Sequence, residues 1–109
     1  MYPKLDIYID KIIHNAQYLR QECQKVGVEL TVVTKVIRAM PEIVIPLRDA
    51  GVTSFGDSRM INIKRLRQSG IENPLYLIRI PMLSEVPSIL EYADFVFVSE
   101  VETLKRIVH

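Results

Sequence analysis

One lysine in this sequence sits where an amine could become reactive. Lys35 lies near the end of the apolar run Leu30–Val36, next to Val32, Val33, Thr34 and Val36. As a strand, that run has a period of two, which places Thr31, Val33 and Lys35 on one face and Val32, Thr34 and Val36 on the other. An ammonium group among such neighbours loses hydration unless it is paired or gives up its proton, and the unprotonated amine is a nucleophile. Such an amine condenses with an aldehyde, a reaction that calls for a desolvated lysine on a rigid element. The plainer reading is a strand-end lysine that reaches solvent or pairs with Asp57 or Glu100, and pattern alone favours it.

Asp57-Ser58-Arg59 form the second polar group, following Thr53–Phe55, with Gly56 allowing a tight turn from strand to helix. Ser58 is explained by capping that helix and Arg59 by solvation in its first turn, so Asp57 is the better candidate for a role in a site. Arg79 ends an apolar strand before Pro81, where its guanidinium could meet an anion or a cofactor oxygen, or pair with Glu85 at the surface. His14 and His109 have no carboxylate or cysteine at ligand spacing, so no metal is assigned. Neither GxGxxG nor GxxxxGK[ST] occurs, so any bound phosphate must be held by residues outside these motifs. No nucleophile-elbow sequence supports a hydrolase.

The elements that must position these residues read as alternating strands and helices. Strands are predicted at Leu5–Ile9, Leu30–Val36, Thr53–Phe55, Leu75–Ile80 and Phe95–Val98. Ile12, Ala16, Leu19, Cys23 and Val26 fall on one face of a helix begun by Asp10 and ended by Gly27. Ser58 and Ser84 mark further helix starts, and Ser99 with Glu102 makes a capping-box pattern. Pro41 suits a first helical turn, whereas Pro46 implies that the second helix starts late or bends. One strand and one helix in roughly 20–25 residues is the rhythm of a parallel α/β sheet.

Composition narrows the function classes. Fourteen Lys and Arg balance thirteen Asp and Glu, scattered singly, so a nucleic-acid partner is not expected. Cys23 is the single cysteine, which excludes an internal disulfide and fits a reducing, cytoplasmic setting. The first ten residues lack a signal-peptide pattern, and no apolar run approaches the roughly 20 residues that span a bilayer.

The motifs together resemble a known family. Leu5-Asp6-Ile7-Tyr8-Ile9-Asp10 with Ile13 and Asn15, then Val32-Val33-Thr34-Lys35-Val36, lead the match. Pro41-Glu42, Ala50-Gly51-Val52, Asp57-Ser58-Arg59, Asn62-Ile63, Leu77-Ile78-Arg79-Ile80-Pro81, Ser84-Glu85 and Ser99-Glu100 follow in order. The chain resembles the amino-terminal part of the alanine racemase-like enzymes, of pyridoxal-phosphate fold type III, and most closely the ornithine racemase group. The resemblance implies the amino-terminal half of a TIM-type (β/α)8 barrel over residues 1–109, with pyridoxal 5'-phosphate as cofactor. It implies that Lys35 forms the Schiff base and is one of two acid–base groups, and that Val33 and the region of Arg79 line the cofactor pocket. The implied substrate is a small amino acid, with ornithine suggested by the nearest group, and the implied assembly a homodimer. Alanine racemases carry a tyrosine four residues after the lysine; here that residue is Ala39, which argues against alanine as substrate.

A complete barrel of this type takes about 250 residues, so the chain supplies about half the units. The expectation is a truncated chain ending inside a helix at Val108-His109, with the second acid–base residue and the phosphate site beyond it. Two rivals remain: a non-catalytic pyridoxal-phosphate carrier on the same barrel, and a complete five-stranded doubly wound domain that binds a ligand or a protein.

Overall fold

The computed structural model describes residues 3–109. Five helices, α1 Ile9–Lys25, α2 Pro41–Asp49, α3 Met60–Gln68, α4 Val86–Tyr92 and α5 Val101–Val108, alternate with four strands. The strands are β1 Thr31–Val33, β2 Ser54–Asp57, β3 Leu75–Leu77 and β4 Phe95–Val96. All neighbours are parallel and the spatial order is β1-β2-β3-β4.

That order decides between the expected architectures. A doubly wound sheet reverses its strand order at a switch point and carries helices on both faces. Here the order runs without reversal, and right-handed crossovers then place every connecting helix on the same side. The core agrees. Ala16 of α1, Ile43, Val44 and Leu47 of α2, Ile63 and Leu66 of α3 and Ile89 of α4 form one cluster with Phe55, Leu75 and Leu77. The register puts Val32, Phe55, Leu75, Leu77 and Val96 on that helix-covered face. Thr31, Val33, Ser54, Gly56, Tyr76 and Phe95 share the other face, where Val33 is 46% and Phe95 49% exposed. Tyr76 stacks on Phe95 there, with ring centroids 4.4 Å apart. A sheet wound one way with an open, partly apolar inner face is a segment of a barrel wall.

Four strands are present among the described residues rather than five. Residues 3–8 carry no regular structure, and Ile9, the predicted end of the first strand, begins α1. Leu5 is 82% and Tyr8 57% exposed; an alternating pattern makes a strand only beside an edge that can take its amide and carbonyl groups. The other strands are shorter than predicted because their ends turn out of the ladder, above all at Thr34, whose ψ is 6°.

Helix starts also differ. Neither Ser58 nor Ser99 caps: Arg59 and Glu100 occupy the N-cap positions of α3 and α5, with extended backbone and no side-chain cap bond. Ser84 lies in a 3₁₀ turn, Leu83–Glu85, that leads into α4. Pro41 opens α2 and Pro46 lies inside it.

Arg67 staples the carboxyl end of α3 to the next unit. Its guanidinium donates to the carbonyls of Tyr92, Ile71 and Asn73 at 2.9, 3.0 and 2.8 Å and pairs with Asp94. The Asp94 carboxylate also accepts the Leu75 N–H at 2.8 Å, which ties the starts of β3 and β4 together. Arg67→Ala should cost about 2 kcal/mol in urea unfolding, because several part-buried carbonyls lose a charged donor. Arg67→Lys should recover less than half of that, since an ammonium cannot reproduce the planar fork.

Candidate active site

Parallel strands bring their carboxyl ends to one rim, and the chemistry-bearing residues lie along it. Lys35 follows β1 by two residues, Asp57 ends β2 and Arg79 follows β3 by two. With strands about 4.8 Å apart, Lys35 and Arg79 belong to chain ends about 10 Å apart across the sheet.

Lys35 stands on a tightly determined turn. It begins the 3₁₀ turn Lys35–Ile37, after which Arg38 and Ala39 both adopt left-handed backbone, at φ 52° and 53°. Two consecutive non-glycine residues in that region cost on the order of 1–2 kcal/mol each, so surrounding contacts must hold them. The Arg65 guanidinium on α3 donates to the Arg38 carbonyl at 2.8 Å, and the Ala39 N–H donates to the Thr34 carbonyl at 3.1 Å. Ala39 has no exposed surface. The position four residues after Lys35 is therefore a buried left-handed corner in this chain.

Behind the turn lies a buried carboxylate. Asp57 and Thr34 are both fully buried. The Thr34 hydroxyl donates to Asp57 Oδ2 at 2.7 Å, while Asp57 Oδ1 accepts the Arg59 N–H at 2.9 Å and the Asn62 amide at 3.0 Å. Among the described residues three neutral donors and no cation compensate the carboxylate, so each bond matters in the low-dielectric interior. Thr34 is also fixed by its own N–H, which donates to the Gly56 carbonyl at 2.9 Å. Asp57 thus holds the entry to α3 through the N–H of its N-cap residue Arg59 and the side chain of Asn62, and it joins β1, β2 and α3.

Lys35 itself is exposed. The described residues do not supply the desolvation that a strand interior would have imposed, because β1 ends at Val33 and Lys35 has moved into the turn. It makes no ion pair with Asp57 or Glu100 among the described residues. Val33, one residue before Thr34, lies on the open face at the mouth of the sheet. Gly56, its neighbour on β2, keeps that mouth flat: a Cβ there would lie 3.3 Å from Ile78 Cγ2 and 3.6 Å from Thr31 Cγ2.

Arg79 is held between two units. Its Nε donates to the Ser58 carbonyl at 2.6 Å, and one terminal nitrogen donates to both oxygens of Glu85 at 3.0 and 3.2 Å. The ion pair with Glu85 weighed from sequence is present. It fixes the guanidinium at the rim, beside the start of α3.

The family model of the alanine racemase N-terminal domain matches residues 7–109. The chain belongs to that family. It is 39% identical over 107 residues to the ornithine racemase of Acetoanaerobium sticklandii and 35% identical over 107 residues to the lysine racemase of Thermotoga maritima. In both alignments 98% of this chain covers 30% of the relative, so the chain spans about a third of the length of the curated relatives it matches. Among solved structures, alanine racemase from E. faecalis superposes with a TM-score of 0.77 at 26% identity, over 94% of this chain and 28% of that one. Alanine racemase from Oenococcus oeni gives the same TM-score at 20% identity and shows the shared fold. Membership in the alanine racemase N-terminal domain family accounts for the one-way winding and the open inner face. Both are features of a barrel wall that continues in the longer relatives.

Thr34 and Asn62 enter the sequence reading only as members of the matching motifs, with no role of their own, and Arg65 does not enter it. A threonine among valines next to Lys35, and an asparagine five residues after a strand-end aspartate, are the signals that could have found the first two. Arg65 left no signal, since an arginine on an exposed helical turn is ordinary.

Proposed function

We propose that the protein carrying this chain is a pyridoxal-phosphate-dependent amino-acid racemase, with Lys35 as the residue that holds the cofactor covalently. The observation that carries this reading is the exposed Lys35 amine on a turn fixed at the carboxyl rim of a one-way-wound parallel sheet. Membership in a family with ornithine and lysine racemases among its relatives supports it.

The residues present fit the group. An accessible primary amine is the nucleophile a covalently held aldehyde requires, its desolvation falling to the bound group and the rest of the barrel, and the wall of Val33, Gly56 and Tyr76 suits one face of a planar ring. Bound there, pyridoxal phosphate would supply the electron sink that lets an amino acid release its α-proton. Lys35 Nζ would take that proton or return it on one face of the α-carbon. Arg79, anchored by Glu85 and by the carbonyls of Ser58 and Ile80, offers an N–H left over from these bonds to an oxygen acceptor at the rim. The group acting on the opposite face, and the phosphate site, belong to the rest of the barrel. The protein is assigned to the cytoplasm, and a homodimer is the expected assembly, with no nucleic acid or membrane partner. Among the described residues no helix is long and apolar enough to cross a membrane.

The reading is tested by α-proton exchange. The full-length protein, loaded with cofactor in D₂O, should incorporate deuterium at Cα of L-ornithine or L-lysine at least about tenfold faster than into L-alanine, a difference of roughly 1.4 kcal/mol. Cofactor retained on Lys35 without exchange of any amino acid would replace the racemase by a carrier.

A further inference from the structure

The buried carboxylate of Asp57 does no chemistry in the reading above, yet it accepts three hydrogen bonds and reaches the lysine turn through Thr34. Its three donors come from three places: the Thr34 hydroxyl after β1, the backbone of Arg59 at the start of α3, and the Asn62 side chain one turn into that helix. Thr34 is held at every polar atom, through its N–H to Gly56, its hydroxyl to Asp57 and its carbonyl to Ala39. Lys35 is the next residue, and the two left-handed residues that close its turn follow three positions later.

From this arrangement we infer that Asp57 and Thr34 are positioning residues for Lys35. The carboxylate fixes the Thr34 side chain on the helix side of the sheet, which sets the backbone direction at which the chain leaves β1 and hence where the Lys35 amine stands on the rim. Arg65 secures the far end of the same turn through the Arg38 carbonyl. Helix α3 therefore grips the lysine turn at both ends, by Asn62 through Asp57 and by Arg65 directly. The alternative is a bond that only stabilises the fold. The two differ in consequence: positioning alters the reactivity of Lys35, whereas stability alone alters the melting temperature and leaves Lys35 chemistry intact in the folded protein. The inference rests on Lys35 being the cofactor lysine.

Thr34→Val removes the hydroxyl at nearly constant volume, Thr34→Ser keeps it, and Asp57→Asn keeps an acceptor for Arg59 while removing the charge. Each full-length variant is incubated with pyridoxal phosphate at a temperature where circular dichroism shows it folded, then reduced with borohydride, and the pyridoxyl adduct is quantified by peptide mass spectrometry. Amide exchange is followed in parallel at Ala39 and at Phe55. Thr34→Val should lower the adduct on Lys35 at least fivefold and speed Ala39 exchange at least tenfold with Phe55 still protected. Asp57→Asn should fall between Thr34→Val and wild type, and Thr34→Ser should keep at least half the wild-type adduct. Adduct yields on Lys35 within twofold of wild type in Thr34→Val would overturn the positioning role and leave a purely structural bond. The wild-type sample reports separately on the parent reading: no adduct on Lys35 there defeats the cofactor assignment itself, and the inference with it.

Discussion

Lys35→Ala should reduce racemisation by the full-length protein at least about 10³-fold, the equivalent of some 4 kcal/mol of lost transition-state stabilisation. Two losses coincide in that variant. Under the proposed reading the covalent hold on the cofactor would disappear, and so would the amine that moves the α-proton on one face. Lys35→Arg should be nearly as damaging, because a guanidinium stays protonated and cannot condense with an aldehyde. Neither change should alter the fold, since Lys35 is exposed and makes no ion pair among the described residues. Chiral chromatography of the product mixture, with circular dichroism of the same samples, checks both halves of the expectation. A Lys35→Ala protein that retains a tenth of wild-type activity would remove Lys35 from the reaction.

The largest effect on stability is expected at Phe55. Among the described residues it is the largest fully buried side chain, on a central strand between the partners β1 and β3, and packs with helices α2 and α3 into the core. Phe55→Ala removes about 3–5 kcal/mol by lost transfer energy and the cavity left behind. Domains of this size have only about 5–15 kcal/mol in total, and here the opposite face of the sheet is open. The melting temperature should therefore fall by about 15 °C or more. Val36→Ala is the matched control: Val36 is 88% exposed, so its removal should change stability by less than about 0.5 kcal/mol. Equal melting temperatures for the two variants would mean that the core does not lie between the sheet and the helices.

The fold class was legible because helix and strand patterns alternate at a regular spacing, and the strand order follows from short right-handed crossovers. The details that failed are those decided by tertiary partners. Leu5–Ile9 alternates like a strand, but residues 5–8 have no ladder partner and Ile9 instead starts α1. Ser58 looks like a cap, but α3 starts one residue later, with Arg59 at its N-cap and no side-chain cap bond, and Asp57 instead holds the Arg59 N–H from the end of β2. Lys35 could be placed at a strand end from its neighbours, yet its exposure depends on Thr34 leaving the ladder, which depends on a carboxylate 23 residues away. No local pattern carries such a bond. Arg79 illustrates the opposite case, since its pairing with Glu85 is a short-range event that spacing alone suggested.

The central claim is that Lys35 holds the cofactor, and one measurement reaches it directly. The full-length protein is mixed with pyridoxal phosphate, reduced with borohydride and digested, and the pyridoxyl-lysine is located by mass spectrometry, with Lys35→Ala as control. One adduct per chain, confined to Lys35 and absent from the control, is the predicted result. An adduct spread over other lysines such as Lys4, Lys11 and Lys64, or one unchanged in the Lys35→Ala protein, would contradict it.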